Sequence, residues 1–269
     1  MQLQSADEVW ARIEALAQKD GGRGVVATDG DGTLWSGDVG EDLFHGFLEH
    51  GVVLDPALDA IKLQAREHAV SDAGTGVDVA RRIYAAYLEG HFPEERVCEL
   101  MTWCFAGWTH AKLVAFTREV VDRGALDARL NREVIHVLER ARAAGVETLL
   151  VSASPVCVIR EAGARVGFAE GQVVAAHPRW VGDVMLAGVE RPIPYGPGKV
   201  SRMRERIGPD RTLYAAFGDN AFDVAMLASA RVGVAVRPKP RLRERAGEIP
   251  GIVELRSAEL DRRAIPSEG

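Results

Sequence analysis

Apolar positions recur along this chain with two different periods. From 6 to 18 they fall at helical spacing, with Val9, Ile13 and Leu16 on one face, Trp10 and Ala17 beside them, and Ser5 placed as the N-cap. Gly21-Gly22 ends that helix. Gly24-Val25-Val26-Ala27-Thr28 is then an apolar run too short for a helix, the pattern of a buried strand. It runs directly into Asp29-Gly30-Asp31-Gly32-Thr33.

Between about Gly40 and Leu126 the spacing predicts helices over 41–50, 56–70, 77–90, 93–105 and 112–123, most of them separated by Gly, Pro or Asp, with no strand among them. The pattern then alternates. A helix over 131–144 closes at Gly145, a strand over 147–151 ends at Ser152-Ala153-Ser154-Pro155, and a helix covers 156–165. A strand at 173–175 is followed by a small hairpin within 180–193, with turn residues at Gly182-Asp183 and Gly188. A helix over 199–207, a strand over 213–217 ending at Gly218-Asp219, a helix over 222–229 and strands at 232–236 and 252–255 complete the series; 267–269 is expected to be frayed. Strand–helix alternation predicts an α/β fold: a Rossmann-like, doubly wound parallel sheet core with an inserted α-helical domain. The expected core comprises 1–39 and 127–269, and the insertion 40–126.

Composition narrows the classes. The 269 residues are 47% hydrophobic and 27% charged, which excludes a disordered chain. A net charge of −6 gives no basis for a general nucleic-acid or anionic-membrane binder, so neither partner is expected. Three scattered cysteines, Cys98, Cys104 and Cys157, fit a reduced compartment better than a disulfide framework. No signal-peptide pattern and no run approaching a membrane span is present, so the expected location is cytoplasmic.

The candidate chemistry falls at strand ends and helix starts: Asp29 and Asp31 after one strand, Ser152 after a second, Lys199 at the start of a helix, and Asp219 and Asp223 after a third strand. Ligands of open parallel sheets bind outside the carboxyl ends of the strands, where the strand order reverses. Four aspartates gathered there repel one another and raise each other's pKa, and a divalent, oxygen-seeking cation with Lys199 offsets that repulsion. Mg2+ prefers carboxylates, water and phosphate oxygens, so the set reads as a Mg2+ site that receives a phosphate. Taken singly, the aspartate pairs also suit ordinary turns and helix caps, and Ser152 an ordinary N-cap.

Asp29-Gly30-Asp31-Gly32-Thr33, Ser152, Lys199 and Gly218-Asp219-Asn220-Ala221-Phe222-Asp223, in that order, resemble the four motifs of the haloacid dehalogenase superfamily, with the phosphoserine-phosphatase-like branch nearest in flavour. The helical insertion resembles that family's cap. The resemblance implies a phosphatase in which Asp29 attacks phosphorus and forms an aspartyl-phosphate, and Asp31 acts as acid and then as base. It implies Mg2+ held by Asp29, Asp31 (through its carbonyl) and Asp219. Phosphate contacts would come from Ser152, the Ala153 N–H at a helix N-terminus, and Thr33. Lys199 would neutralise the phosphate, with Asp223 positioning it. The implied substrate is a small phosphorylated metabolite. Transfer to a second acceptor, as in a phosphotransferase or phosphomutase, and non-catalytic phosphate binding remain alternatives. Two departures stand out. Gly30 replaces a larger apolar residue, and Phe222 stands where a metal-loop Asn is usual, so Asn220 is the candidate to serve instead.

In the insertion, Trp103, Trp108, Tyr84, Tyr87 and Phe105 suggest either core packing or an aromatic cage for a quaternary ammonium group. Arg66, Arg81 and Arg82 suit a solvated helix face or a grip on a substrate anion. Asp38 and Glu41 follow the nucleophile motif at the position where an amino group is met in phosphoserine phosphatases. The basic run 237–245 reads as a solvated loop and helix.

Overall fold

A computed structural model describes residues 1–257. The expected frayed end at 267–269 lies outside the described residues. In chain order the elements are β1 (Gln2–Gln4), α1 (Ala6–Asp20), β2 (Val25–Thr28), α2 (Val39–His50), α3 (Asp55–Glu67), α4 (Gly76–Leu88), α5 (Glu94–Trp103) and α6 (His110–Arg123). They continue with α7 (Arg132–Ala143), β3 (Glu147–Pro155), α8 (Val156–Arg165), β4 (Val173–Ala176), β5 (Pro178–Val181) and β6 (Val184–Val189). The last are α9 (Pro197–Ile207), β7 (Leu213–Gly218), α10 (Val224–Ser229), β8 (Val232–Ala235), α11 (Pro240–Glu244) and β9 (Val253–Leu255).

The sheet has seven strands in the order β1-β9-β8-β7-β2-β3-β4. The pairs β1–β9, β9–β8, β8–β7, β7–β2 and β2–β3 are all parallel. This is the Rossmann-like architecture the alternation predicts. Strand β2 lies between β3 and β7, so the chain reverses its direction of travel across the sheet there.

The described residues form two compact units: 1–37 with 127–151 and 196–257, and 38–126 with 152–195. In the first, Val25, Val26, Ala27, Leu149, Leu150, Ala215, Ala216 and Phe217 are fully buried, because a parallel sheet is covered on both faces. Helix α1 starts at a capping box in which Ser5 and Glu8 satisfy each other's backbone amides, and it ends at Gly21 in the left-handed conformation.

The second unit holds the helices of the insertion, and it also takes in 152–195, which the alternation alone assigns to the core. The reason is local packing. Helix α8 lies against α6 and α2, and the β5–β6 hairpin lies against α5 and α3. Val184 of the hairpin bridges to Thr109 at the head of α6. Gly188, read from sequence as a turn residue, is inside β6 instead; the turn is at Gly182-Asp183.

Within this unit, Trp108, Phe105 and Phe116 form a ring cluster, with Phe105 and Trp108 at 5.1 Å and Trp108 and Phe116 at 5.4 Å. Trp108 and Phe105 are core residues here and do not form an open cage. Arg66 pairs with Asp72, and Arg82 donates to the carbonyls of Ser71 and Ala73, so both hold the loop that follows α3.

Candidate active site

Chain order brings the first motif and the last to one end of the sheet. Thr28 of β2 pairs with Phe217 of β7, and the Asp29 N–H donates to the Phe217 carbonyl at 2.9 Å. Asp29 and Asp219 therefore leave the carboxyl ends of adjacent strands. Lys199, in the first turn of α9, inserts its ammonium between two carboxylates. Its Nζ is 2.5 Å from Asp29 Oδ1 and 2.5 Å from Asp223 Oδ1, and the lysine is 0% exposed. The Phe222 ring covers the ammonium, with its centroid at 4.9 Å. Where the family pattern leads one to expect an Asn, this chain places a hydrophobic lid over the lysine.

Every acceptor of Asp223 is engaged. Oδ1 takes Lys199, while Oδ2 accepts the N–H groups of Asp219 and Asn220 at 3.1 and 3.0 Å. Asp223 thus both orients the lysine and fixes the loop that carries Asp219. Asn220 Oδ1 accepts the Ala221 N–H at 2.7 Å, the place of a cap at the start of the turn that carries Asp223.

The loop after β2 is built around two glycines. At Gly32, φ is +78°, and a Cβ would stand 2.2 Å from Asp219 Oδ2, so any side chain would displace that carboxylate. Gly30 does not need its freedom of angle. A Cβ there would lie 2.9 Å from the Trp35 ring, which packs against it. The Gly30 carbonyl gathers the N–H groups of Thr33, Leu34 and Trp35, curling the loop into a tight turn. Trp35, fully buried, donates its indole N–H to Asp31 Oδ1 at 2.8 Å. A small residue at 30 is what lets this large one reach Asp31. Thr33 donates its hydroxyl to Asp29 Oδ2 at 3.1 Å.

Sequence reading missed Lys239. It lies in the basic run 237–245, and its Nζ is 2.9 Å from Asp219 Oδ2 while its N–H donates to the Asp219 carbonyl at 2.8 Å. The run is largely neutralised by partners: Arg243 pairs with Glu254 and Arg245 with Glu248. The only signal available was the Pro238-Lys239-Pro240 context, which holds the chain extended as it passes the site.

Ser152 and Ala153 lie on β3 beyond Leu150, the partner of Thr28. The strand continues through Pro155 and α8 begins only at Val156, so both residues sit in the strand; the helix N-terminus expected there starts later. The Ser152 Oγ accepts the Ser154 N–H at 3.0 Å. Asp38, at the start of the second unit, caps α2 by accepting the Glu41 N–H at 2.8 Å.

The electrostatics call for a further positive charge. Burial pushes the Asp29 carboxyl well above the ordinary carboxylate range; Lys199 pulls it down, and Asp223, Asp219 and Asp31 push it up again. Asp219 is raised to about 6, by burial first and Asp223 second, against the pull of Lys239. Burial works against the Lys199 ammonium, yet Asp223 and Asp29 hold its pKa above the usual lysine range. Asp29, Asp219 and Asp223 each offer an oxygen within 4.8 Å of the others. Asp219 Oδ1 is buried and has no hydrogen-bond partner among the described residues. A buried, orphaned carboxylate oxygen beside a second carboxylate suits a hard cation such as Mg2+. Asp219 brings that unpartnered oxygen, Asp29 lies beside it with its oxygens on Lys199 and Thr33, and Asp223 is held by Lys199 and two loop N–H groups, so Asp219 and Asp29 are the pair best suited to hold it.

The family model described as haloacid dehalogenase-like hydrolase matches residues 26–228. No curated protein matches the chain. Among solved structures, a protein of unknown function from Bordetella pertussis Tohama I is 22% identical, covering 86% of this chain and 97% of its own, with a TM-score of 0.62. A HAD family hydrolase from Salmonella enterica subsp. enterica serovar Typhi is 17% identical, covering 97% of this chain and 81% of its own, at 0.56. A phospho-aspartyl intermediate analogue of phosphoserine phosphatase is 15% identical, covering 89% of this chain and 96% of its own, at 0.51. At these identities the likeness is one of fold.

Proposed function

The chain belongs to the haloacid dehalogenase-like hydrolases, and from that premise we propose that it is a Mg2+-dependent phosphatase of a small phosphorylated metabolite. The observation that carries this reading is Lys199, buried between Asp29 and Asp223 beside the orphaned Asp219 Oδ1. The carboxylates there outnumber the ammonium groups, so the site suits a cation first, and the cation together with Lys199 then suits a phosphate.

Asp29 attacks the phosphorus of the monoester. The bond from its carboxylate oxygen to phosphorus forms as the bond to the ester oxygen breaks, giving an aspartyl-phosphate. Asp31 gives its proton to the departing oxygen, then takes one from the water that hydrolyses the intermediate. Trp35 fixes the Asp31 carboxyl for both transfers through its indole N–H. Thr33 and Lys199 orient the Asp29 carboxylate, and Asp223 keeps Lys199 in place. Mg2+ held by Asp29 and Asp219, with the Asp31 carbonyl, would supply charge neutralisation for nucleophile and phosphate. Ser152 and the Ala153 N–H are the proposed contacts for the phosphate oxygens.

A screen of phosphorylated metabolites, with and without Mg2+ and scored by phosphate release, tests the reading. It should include phosphoserine, phosphocholine, phosphoethanolamine and sugar phosphates. Mg2+-dependent release from one class supports hydrolysis. Release from none, with new phosphoesters formed when alcohols are supplied, would replace hydrolysis with transfer.

A further inference from the structure

The second compact unit contains a polar cavity that the catalytic reading does not use. It has a volume of about 240 Å3, and its lining includes Gln64 and Glu67 of α3, Arg96 and Glu99 of α5, Arg179 of β5 and Arg191 just after β6. Three features mark it as built to receive something. Glu99 is only 3% exposed, and a single oxygen, Oε2, accepts both Arg96 and Arg191 at 2.7 Å. Two guanidinium groups thus converge on one carboxylate oxygen. Gln64, 8% exposed, donates its Nε2 to the Arg96 carbonyl at 3.1 Å, which leaves Oε1 as a buried acceptor without a partner among the described residues. Arg179 brings a third guanidinium, exposed and with no ion pair of its own among the described residues, its stem lying beside Gly188 of the facing strand.

The charges count three guanidinium groups against two carboxylates, a surplus of one positive charge. A monoanion balances it, and a planar carboxylate matches the guanidinium fork. The unpartnered Gln64 oxygen asks for a hydrogen-bond donor on the same ligand. We infer that this cavity is a second ligand site, for a small monocarboxylate that carries a hydroxyl donor. Arg179 and Arg191 take the carboxylate, and Gln64 Oε1 accepts the hydroxyl.

The test is calorimetric titration of the full-length protein with glycerate and, as the partner lacking both of its hydroxyls, propionate. Glycerate should saturate one site, and propionate should bind about tenfold more weakly, the factor expected for one lost hydrogen bond to a buried acceptor. Arg179→Ala and Gln64→Leu should each weaken glycerate about tenfold or more. Arg179 is at the surface, so its variant should melt with the wild type, and thermal unfolding of both variants separates lost binding from lost fold. Asp29→Asn should leave glycerate binding unchanged. Absence of saturable glycerate binding overturns the inference. So does binding untouched by both cavity variants, binding lost in Asp29→Asn, or propionate binding as tight as glycerate.

Discussion

Lys239 holds its ammonium 2.9 Å from Asp219 Oδ2, on a carboxylate whose other oxygen is buried without a partner. One half of Asp219 is thus neutralised from the rim of the site, and the other half is left for a cation. Lys239 is 54% exposed along its side chain and Asp219 only 2%, so the pair is screened on one side only. Lys239→Met leaves a buried carboxylate short of its counter-charge. We expect it to lower the stability of the metal-free protein by about 1–2 kcal/mol. Mg2+ should then restore more stability to the variant than it adds to the wild type. Thermal unfolding in chelator and in Mg2+ measures both; equal gains from Mg2+ would place Lys239 outside the metal's electrostatic field.

Trp35→Phe keeps a ring against Gly30 and removes the N–H that Asp31 accepts. The expected outcome is a folded protein with kcat lowered about tenfold, the loss of one oriented hydrogen bond to the acid–base group. KM should change little, so that the loss falls on kcat. Wild-type kcat in the folded variant would assign Trp35 to packing alone.

Gly32→Ala combines a left-handed φ of +78° with a Cβ placed 2.2 Å from Asp219 Oδ2. The cost should reach about 3 kcal/mol, from backbone strain and displacement of the carboxylate together. Mg2+ stabilisation should be lost at the same time. Retained stabilisation by Mg2+ would show that Asp219 is not where the cation sits.

Outside the site, burial pushes the Cys157 thiol up to about 11. Its thiolate is scarce at neutral pH and grows about tenfold per pH unit below that value. Alkylation of Cys157 in the folded protein, followed by peptide mass spectrometry, should keep accelerating beyond pH 9. A rate that levels off by pH 9 would contradict this.

Much of this was legible in the sequence, for identifiable reasons. Buried parallel strands such as Val25–Thr28 and Leu213–Gly218 read as short apolar runs, and the motif residues follow them directly. Asp29, Lys199, Asp219 and Asp223 come together because their spacing is set by those strands and helices. Strand β1 escaped, because three residues with one apolar position, Leu3, carry no period. Trp35 and Lys239 escaped because their roles depend on loop paths: a turn around the Gly30 carbonyl, and an extended stretch between two prolines. The grouping of 152–195 with the helices escaped for a similar reason, since α8 and the hairpin look like core elements in sequence and differ only in what they pack against.

Asp29 is the group proposed to accept the phosphoryl group. Turnover of p-nitrophenyl phosphate with Mg2+ can be quenched in acid, reduced with borohydride to convert any aspartyl-phosphate, and mapped by peptide mass spectrometry. Modification is expected at Asp29 alone, and it should be lost together with phosphate release in Asp29→Asn. Sustained phosphate release with Asp29 unmodified, or modification at Asp31 or Asp219 in its place, would contradict it.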